Sequence, residues 1–188
     1  MHSNVYSVNF CRSGFEKGTQ FDVQEATCIN KDGRLMERQL GIWEDTQIQG
    51  LKKIVDVVHE EGCNIFVQIH HAGVFGISKT PMCPSNYQYE NHQGTKITGY
   101  EMTGHEMTLE DIHLIQMDFI QAGGRAYEAG YDGIELHGCH QYLISQYFNG
   151  NVNKERMNKG FNQKSLQSKL LMESVRLPRG FCDWYSIG

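Results

Sequence analysis

From Thr46 onward the apolar residues recur at steps of three and four: Ile48, Leu51, Ile54, Val55 and Val58, with Lys52, Lys53, Asp56 and Glu60 between them. That spacing is one stripe of an amphipathic helix, and Gly62 closes it. The pattern then changes to a compact apolar run, Asn64-Ile-Phe-Val-Gln-Ile69, which reads as a short strand whose end carries Gln68, His70 and His71 ahead of Ala72-Gly73. Upstream, Phe21-Asp-Val-Gln-Glu-Ala-Thr27 alternates apolar and polar positions before the turn signal Lys31-Asp-Gly-Arg34, which predicts another strand feeding a loop. Downstream, Thr108-Leu-Glu-Asp111 has the form of a helix start, with an N-cap and acidic residues in the first turn. Leu109, Ile112, Ile115, Phe119, Ala122 and Ala126 continue that helix to Gly130, and Gly133 to Leu136 follow as a buried strand.

Between these periodic stretches the signals are weaker. Residues 74 to 107 contain Pro81 and Pro84, several Tyr, Asn and Gly residues and no sustained period, which predicts a long loop or a small hairpin. Leu143 to Phe148 reads as a helical turn, and Leu166, Leu170, Leu171 and Val175 mark one more amphipathic helix before Pro178. Residues 1 to 20 show no periodicity, and Arg179 to Gly188 show neither a period nor a partner strand. There is no internal repeat.

Strands alternating with helices predict parallel β-α units, in which functional groups collect at the strands' C-terminal ends. Glu25-Ala26-Thr27, Gln68 to His71 and His137 to Tyr142 all fall at such ends. The last group concentrates the most chemistry. A tight turn after the strand would bring His137, His140 and Tyr142 into one small space, two imidazole N–H donors beside a phenol. Such a set suits holding a carbonyl or phenolate oxygen as negative charge develops on it, with a proton source close by. Gln68 offers both a donor and an acceptor, enough to pair with an imide-like ring edge such as a flavin's pyrimidine.

Composition narrows the picture. The chain has 188 residues, 39% of them hydrophobic, with 20 glycines, consistent with one folded domain. Seventeen basic against 22 acidic residues give a formal charge of -5, so there is no basic field to attract nucleic acid or an anionic membrane. No apolar run approaches the ~20 residues of a membrane span. Six cysteines are scattered without a CxxC pair and the N-terminus lacks an apolar leader, which predicts a reduced, cytoplasmic setting. Cys28 and Cys63 read as buried small apolar residues. His137, Cys139 and His140 could be weighed as zinc ligands with a fourth from His70 or His71. Their spacing is not a recognised zinc pattern, however, and adjacent Cys139 and His140 would struggle to face one ion, so no metal is assigned.

Five segments in order resemble the old yellow enzyme family of FMN-dependent NADH:flavin oxidoreductases and ene-reductases, in particular its two-histidine branch. They are Glu25-Ala-Thr27 with Gly33-Arg34, Leu40-Gly-Ile-Trp43, Val67-Gln-Ile-His-His-Ala-Gly73, Cys83-Pro-Ser85, and Ala129-Gly-Tyr-Asp-Gly-Ile-Glu-Leu-His-Gly-Cys-His-Gln-Tyr-Leu143. The resemblance implies a (β/α)8 TIM barrel of which this chain holds about the first half, strands two to four with their helices. Residues 21–176 would form the barrel-like core of one incomplete domain spanning 1–188, with 1–20 unassigned and 177–188 an irregular tail.

It also implies FMN at the strand ends, with NAD(P)H as electron donor and reduction of activated alkenes, enones or quinones. His137 and His140 would hold the substrate's carbonyl oxygen, Tyr142 would be the proton donor or lie beside it, and Ala26 and Gln68 would contact the flavin. Four departures accompany the match. Val74 stands where the family has arginine. The family's Tyr-Gly-Gly-Ser and Glu-Asn-Arg elements are not recognisable in Lys159 to Ser165. No first strand is legible in residues 1–20, and the second half of the barrel has no counterpart. A half barrel leaves open sheet edges, which predicts a homo-oligomer or a complementing chain, with a non-catalytic fragment as the alternative to an enzyme.

Overall fold

The computed structural model describes residues 21–88, 103–154 and 182–186. Strand β1, Phe21–Cys28, is followed after a loop by a 3-10 turn, Asp45–Gln47, and helix α1, Ile48–Glu60. Strand β2, Asn64–His70, ends in a second 3-10 turn, Gly73–Phe75. Three short strands come next: β3 Met82–Cys83, β4 Tyr87–Gln88 and β5 Thr103–Glu106. Helix α2, Leu109–Ala129, leads into β6, Gly133–His137, then α3, Leu143–Phe148, and β7, Cys182–Ser186. The main sheet has the order β1-β2-β6-β7 with every pairing parallel, and α1 and α2 make β1 to β2 and β2 to β6 into β-α units.

Both long helices end by the same device. Gly62 sits at φ 74 and Cys63 N–H reaches back to the Val58 carbonyl at 3.3 Å, closing α1. Gly130 sits at φ 90 and Tyr131 N–H reaches the Ala126 carbonyl at 3.1 Å, closing α2. Only a residue without Cβ takes these left-handed positions cheaply, and each turns the chain into a strand within two or three residues. At its start α2 is fixed by a capping box in which Asp111 N–H bonds Thr108 Oγ1 at 3.1 Å and Thr108 N–H bonds Asp111 Oδ2 at 2.8 Å.

Strand alternation decides what is covered. Ile65, Val67 and Ile69 of β2, with Ile134 and Leu136 of β6, are buried against Ile54, Val55 and Val58 of α1 and Phe119, Ala122 and Ala126 of α2. Each such aliphatic side chain contributes about 1.5–3 kcal/mol, and this outer face carries the core. The inner face is less covered: Phe66, Gln68 and Glu135 are half-buried and Val23 is 36% exposed. The fold is thus α/β, a partial TIM barrel whose inner face is only partly covered at these residues.

Two expectations are sharpened or changed. The described parts of the stretch 74–107 form a small three-stranded sheet of order β3-β5-β4, with β4 and β5 antiparallel. The tail read as irregular contains β7, the fourth strand of the main sheet, aligned with β6 from Gly133↔Cys182 to His137↔Ser186. Cys-Asp-Trp-Tyr-Ser carries no alternation to announce a strand; its order comes from long-range pairing with the free edge of β6, which no local pattern reports. The helix expected around Leu166 to Val175 and the unassigned residues 1–20 lie outside the described residues.

Candidate functional site

The parallel register places the site. Phe66, Val67, Gln68 and Ile69 of β2 stand beside Gly133, Ile134, Glu135 and Leu136 of β6, so the next residues, His70 and His137, finish their strands side by side. Their ring centroids are 5.9 Å apart. Immediately beyond β6 the chain turns sharply: His140 and Gln141 take φ values of 54 and 60, two successive non-glycine residues in the left-handed region. Such a pair costs of order 1–3 kcal/mol per residue and persists only where the surroundings enforce it. The turn folds His140 back over the strand end, with its Nδ1 3.3 Å from His137 Nε2. Tyr142 closes the group, its ring centroid 4.9 Å from that of His137, 6.3 Å from that of His140 and 5.1 Å from that of His70. His137, His140 and Tyr142 therefore meet as the sequence spacing predicts.

The histidine pair at the end of β2 separates cleanly. His71 turns away, fully buried with its Nδ1 accepting from Gly73 N–H at 3.0 Å, and its ring packs so tightly over Gly33 that a Cβ there would lie 2.2 Å from Cδ2. His70 turns inward and is also completely buried. Gln39 sets it in place: its Nε2 lies 2.5 Å from His70 Nε2 and donates to the Ala26 carbonyl at 3.0 Å, while its Oε1 accepts from Leu35 N–H at 2.7 Å. A carboxamide nitrogen only donates, so His70 Nε2 accepts and the ring proton sits on Nδ1. That Nδ1 is buried without a hydrogen-bond partner among the described residues.

The electrostatics follow from burial. Desolvation pushes the His70 pKa down to about 3, helped by the neighbouring His137 and His71. Burial likewise lowers His137 to about 4, with His140 adding to the effect. Both imidazoles are consequently neutral at physiological pH, able to donate one N–H each. Tyr142 is shifted the other way, its pKa raised by desolvation and then by Cys139, so the phenol keeps its proton.

Ala26 and Gln68 sit on the flank of this cluster. Gln68 is two residues before His70 on the same side of β2, half-buried, and its carboxamide has no partner among the described residues. Ala26 lies where the β1–β2 register shifts between Gln24 and Thr27. Its carbonyl is taken by Gln39, so a ligand would meet its N–H or methyl.

Two residues that the sequence reading does not single out, Gln39 and Gln146, complete the site together with Cys139. Gln39 lies in an aperiodic loop and carried no signal. Gln146 interrupts the apolar run of α3 with a polar side chain that is only 1% exposed, which was a usable hint. Adjacency in sequence argues against Cys139 and His140 facing one point, yet Cys139 Sγ is 3.4 Å from His140 Nδ1 and 3.6 Å from His137 Nδ1. The left-handed backbone at His140 and Gln141 removes that objection. Val74, in place of the family's arginine, is buried with its N–H bonded to Gln146 Oε1 at 3.2 Å.

Comparison with known proteins agrees with this architecture. Among curated relatives, an NADPH dehydrogenase of Listeria welshimeri is 35% identical over 144 residues, 76% of this chain and 40% of the relative. An NADPH dehydrogenase of Clostridium acetobutylicum is 32% identical over 163 residues, 85% of this chain and 46% of the relative. The chain therefore spans less than half the length of these relatives. Among solved structures, morphinone reductase matches with a TM-score of 0.71 at 25% identity, covering 87% of this chain and 48% of that one. An old yellow enzyme homologue from Zymomonas mobilis matches with a TM-score of 0.73 at 24% identity, covering 87% and 49%. The model of the NADH:flavin oxidoreductase / NADH oxidase family matches residues 7–160. Because that match runs through β1, β2 and β6 and past the turn that gathers the histidines, the chain belongs to this family, that of the old yellow enzymes.

Proposed function

We propose that this chain forms the substrate-holding side of an FMN-dependent NAD(P)H oxidoreductase that reduces activated alkenes, enones or quinones. One observation carries the reading: His137 Nε2 and His140 Nδ1 converge to 3.3 Å at a strand end, both rings beside the Tyr142 phenol. An oxygen placed within hydrogen-bond reach of both ring nitrogens can receive an N–H from each, which favours charge building on a carbonyl more than it favours the uncharged carbonyl. Electron density drawn to that oxygen leaves the β-carbon of a conjugated alkene open to hydride. Tyr142, still protonated because burial raises its pKa, is placed to supply the proton that completes addition of H⁻ and H⁺ across the double bond.

The residues present fit one side of FMN. Gln68 presents a carboxamide without a partner among the described residues on the half-covered inner face, matching the donor and acceptor pattern of an imide edge, and Ala26 borders the same face. When bound, the flavin accepts hydride from NAD(P)H and delivers it to the substrate. Cytoplasm is the setting we assign, because Cys28, Cys63, Cys83 and Cys139 are all free thiols. Among the described residues no helix is long and apolar enough to cross a membrane.

The test is reconstitution of the purified chain with FMN. The expected result is a yellow protein with a raised Tm and a long-wavelength charge-transfer absorbance on adding a para-substituted phenol. His137→Ala/His140→Ala should lose the phenol band and keep the flavin. Colourless protein with no shift in Tm, or a phenol band that survives the double substitution, overturns the reading.

A second reading, a barrel fragment completed by another copy or another chain, is favoured by the exposure of Val23 and the half-covered Phe66 and Gln68 on the inner face. Light scattering distinguishes it: a stable, cooperatively melting monomer contradicts the need for a partner.

A further inference from the structure

We propose that His137, Cys139 and His140 form a binding site for a thiophilic divalent cation of the zinc class, with three protein ligands and the fourth position open. The inference goes beyond the flavin reading and does not depend on it. One ligand atom from each of the three side chains falls within 4.8 Å of the others. Cys139 Sγ is 3.6 Å from His137 Nδ1 and 3.4 Å from His140 Nδ1, and His140 Nδ1 is 3.3 Å from His137 Nε2. Zinc bonds of about 2.3 Å to sulfur and 2.0–2.1 Å to nitrogen, set tetrahedrally, separate the ligand atoms by about 3.3–3.6 Å. The edge between Cys139 Sγ and His140 Nδ1 already has that length, whereas His137 meets the thiol with Nδ1 and His140 with Nε2, so its ring must turn to bring one nitrogen to both partners.

The backbone explains how neighbours in sequence reach one point. With His140 at φ 54 and Gln141 at φ 60 the chain reverses immediately after Cys139, and the adjacent thiol and imidazole end on the same side. Gln146 holds that reversal by donating from Nε2 to the Gln141 carbonyl at 2.6 Å. Burial is graded in the same sense: His137 and Cys139 are buried, whereas His140 is exposed, so the ion would enter from the His140 side and keep a position for water or an anion there. A sulfur ligand with two imidazoles selects zinc-like ions over magnesium or calcium. On binding, the Cys139 thiol releases its proton to solvent as the sulfur–metal bond forms.

The cation and a substrate oxygen would compete. Metal binding takes an imidazole lone pair, while holding an oxygen needs an N–H, and a single nitrogen cannot offer both. Zinc would therefore act as an inhibitor of the site proposed above.

The experiment is titration of the metal-free chain with Co²⁺, followed by absorbance. The expected result is one equivalent bound, with a sulfur-to-cobalt charge-transfer band and intense tetrahedral d–d bands, both abolished by an equivalent of Zn²⁺. Cys139→Ala should remove the charge-transfer band and His140→Ala should weaken Co²⁺ binding at least tenfold, with circular dichroism unchanged in each. Cys139→Ser serves as a second variant that keeps the side-chain volume, and it should also lose the band. Absence of the charge-transfer band, or Co²⁺ binding of unchanged strength in all three variants, overturns the proposal. In flavin-loaded protein Zn²⁺ should displace the phenol, and loss of flavin binding alone leaves the cobalt result standing.

Discussion

Gln146 donates from Nε2 to the carbonyl of Gln141 at 2.6 Å, so the first helix after the site clasps the strained turn that carries His140. The same side chain accepts from Val74 N–H at 3.2 Å and donates to the Ala72 carbonyl at 3.3 Å. One buried carboxamide therefore joins the end of β2 to the turn after β6. It also explains why Gly73, at φ 62, has no room for a side chain: a Cβ there would lie 2.2 Å from Gln146 Oε1.

Gln146→Leu should accordingly loosen the site and lower stability together. The substitution keeps the volume but leaves Val74 N–H and two carbonyls without their partner, at about 1–3 kcal/mol for a buried group left unsatisfied. Urea unfolding should show that loss. Unchanged stability would mean the carboxamide is dispensable to the turn.

Tyr131 supports the other flank. Its buried hydroxyl donates to Gln24 Oε1, and Gln24 Nε2 donates to Thr27 Oγ1 at 3.0 Å across the register shift that presents Ala26. Removing that hydroxyl in Tyr131→Phe strands a buried acceptor, with an expected loss of about 1–3 kcal/mol in thermal or urea unfolding. A variant as stable as the parent would show that Gln24 finds another donor.

How much of this was legible in sequence depends on whether the cause is local. Helices α1 and α2 are written in three- and four-residue spacing with their glycine ends and the Thr108 cap, β1 in alternation of apolar and polar positions, and β2 and β6 in short apolar runs. The convergence of His137, His140 and Tyr142 was legible because all three lie within six residues of one strand end. β7 was not, since its order comes from pairing with β6 at a distance of about fifty residues in sequence. Gln39 was hidden for the same reason: it touches Ala26 and His70, thirteen and 31 positions away. Which of His70 and His71 faces inward was decided by Gly33, whose missing side chain makes room for the His71 ring.

The two buried histidines at the end of β2 predict acid sensitivity. His71 has its pKa lowered by burial from 6.5 to about 4, and His70 from 6.5 to about 3. The unfolded chain therefore binds protons between pH 6.5 and 4 that the folded chain refuses, and stability rises with pH through that window. Tm should be highest above about pH 6.5 and fall steadily toward pH 4, continuing toward pH 3 as His70 contributes. A Tm independent of pH between 6.5 and 4 would contradict the burial of both rings.

Tyr142→Phe separates holding from proton delivery. The ring that packs 5.1 Å from His70 and 4.9 Å from His137 is retained, so the two imidazoles keep their positions and a phenolic ligand should bind within a few-fold of the parent. What disappears is the hydroxyl whose proton is kept by desolvation. If Tyr142 is the proton source in the reduction proposed here, enone turnover in flavin-loaded protein should fall by about 10²-fold or more, within the range that a positioned general acid supplies. Quinone reduction, whose product oxygens can take protons from solvent, should fall much less. Equal losses on both substrates would instead assign Tyr142 to packing alone, because a merely structural role has no reason to distinguish a carbon that must be protonated from an oxygen that exchanges freely with water.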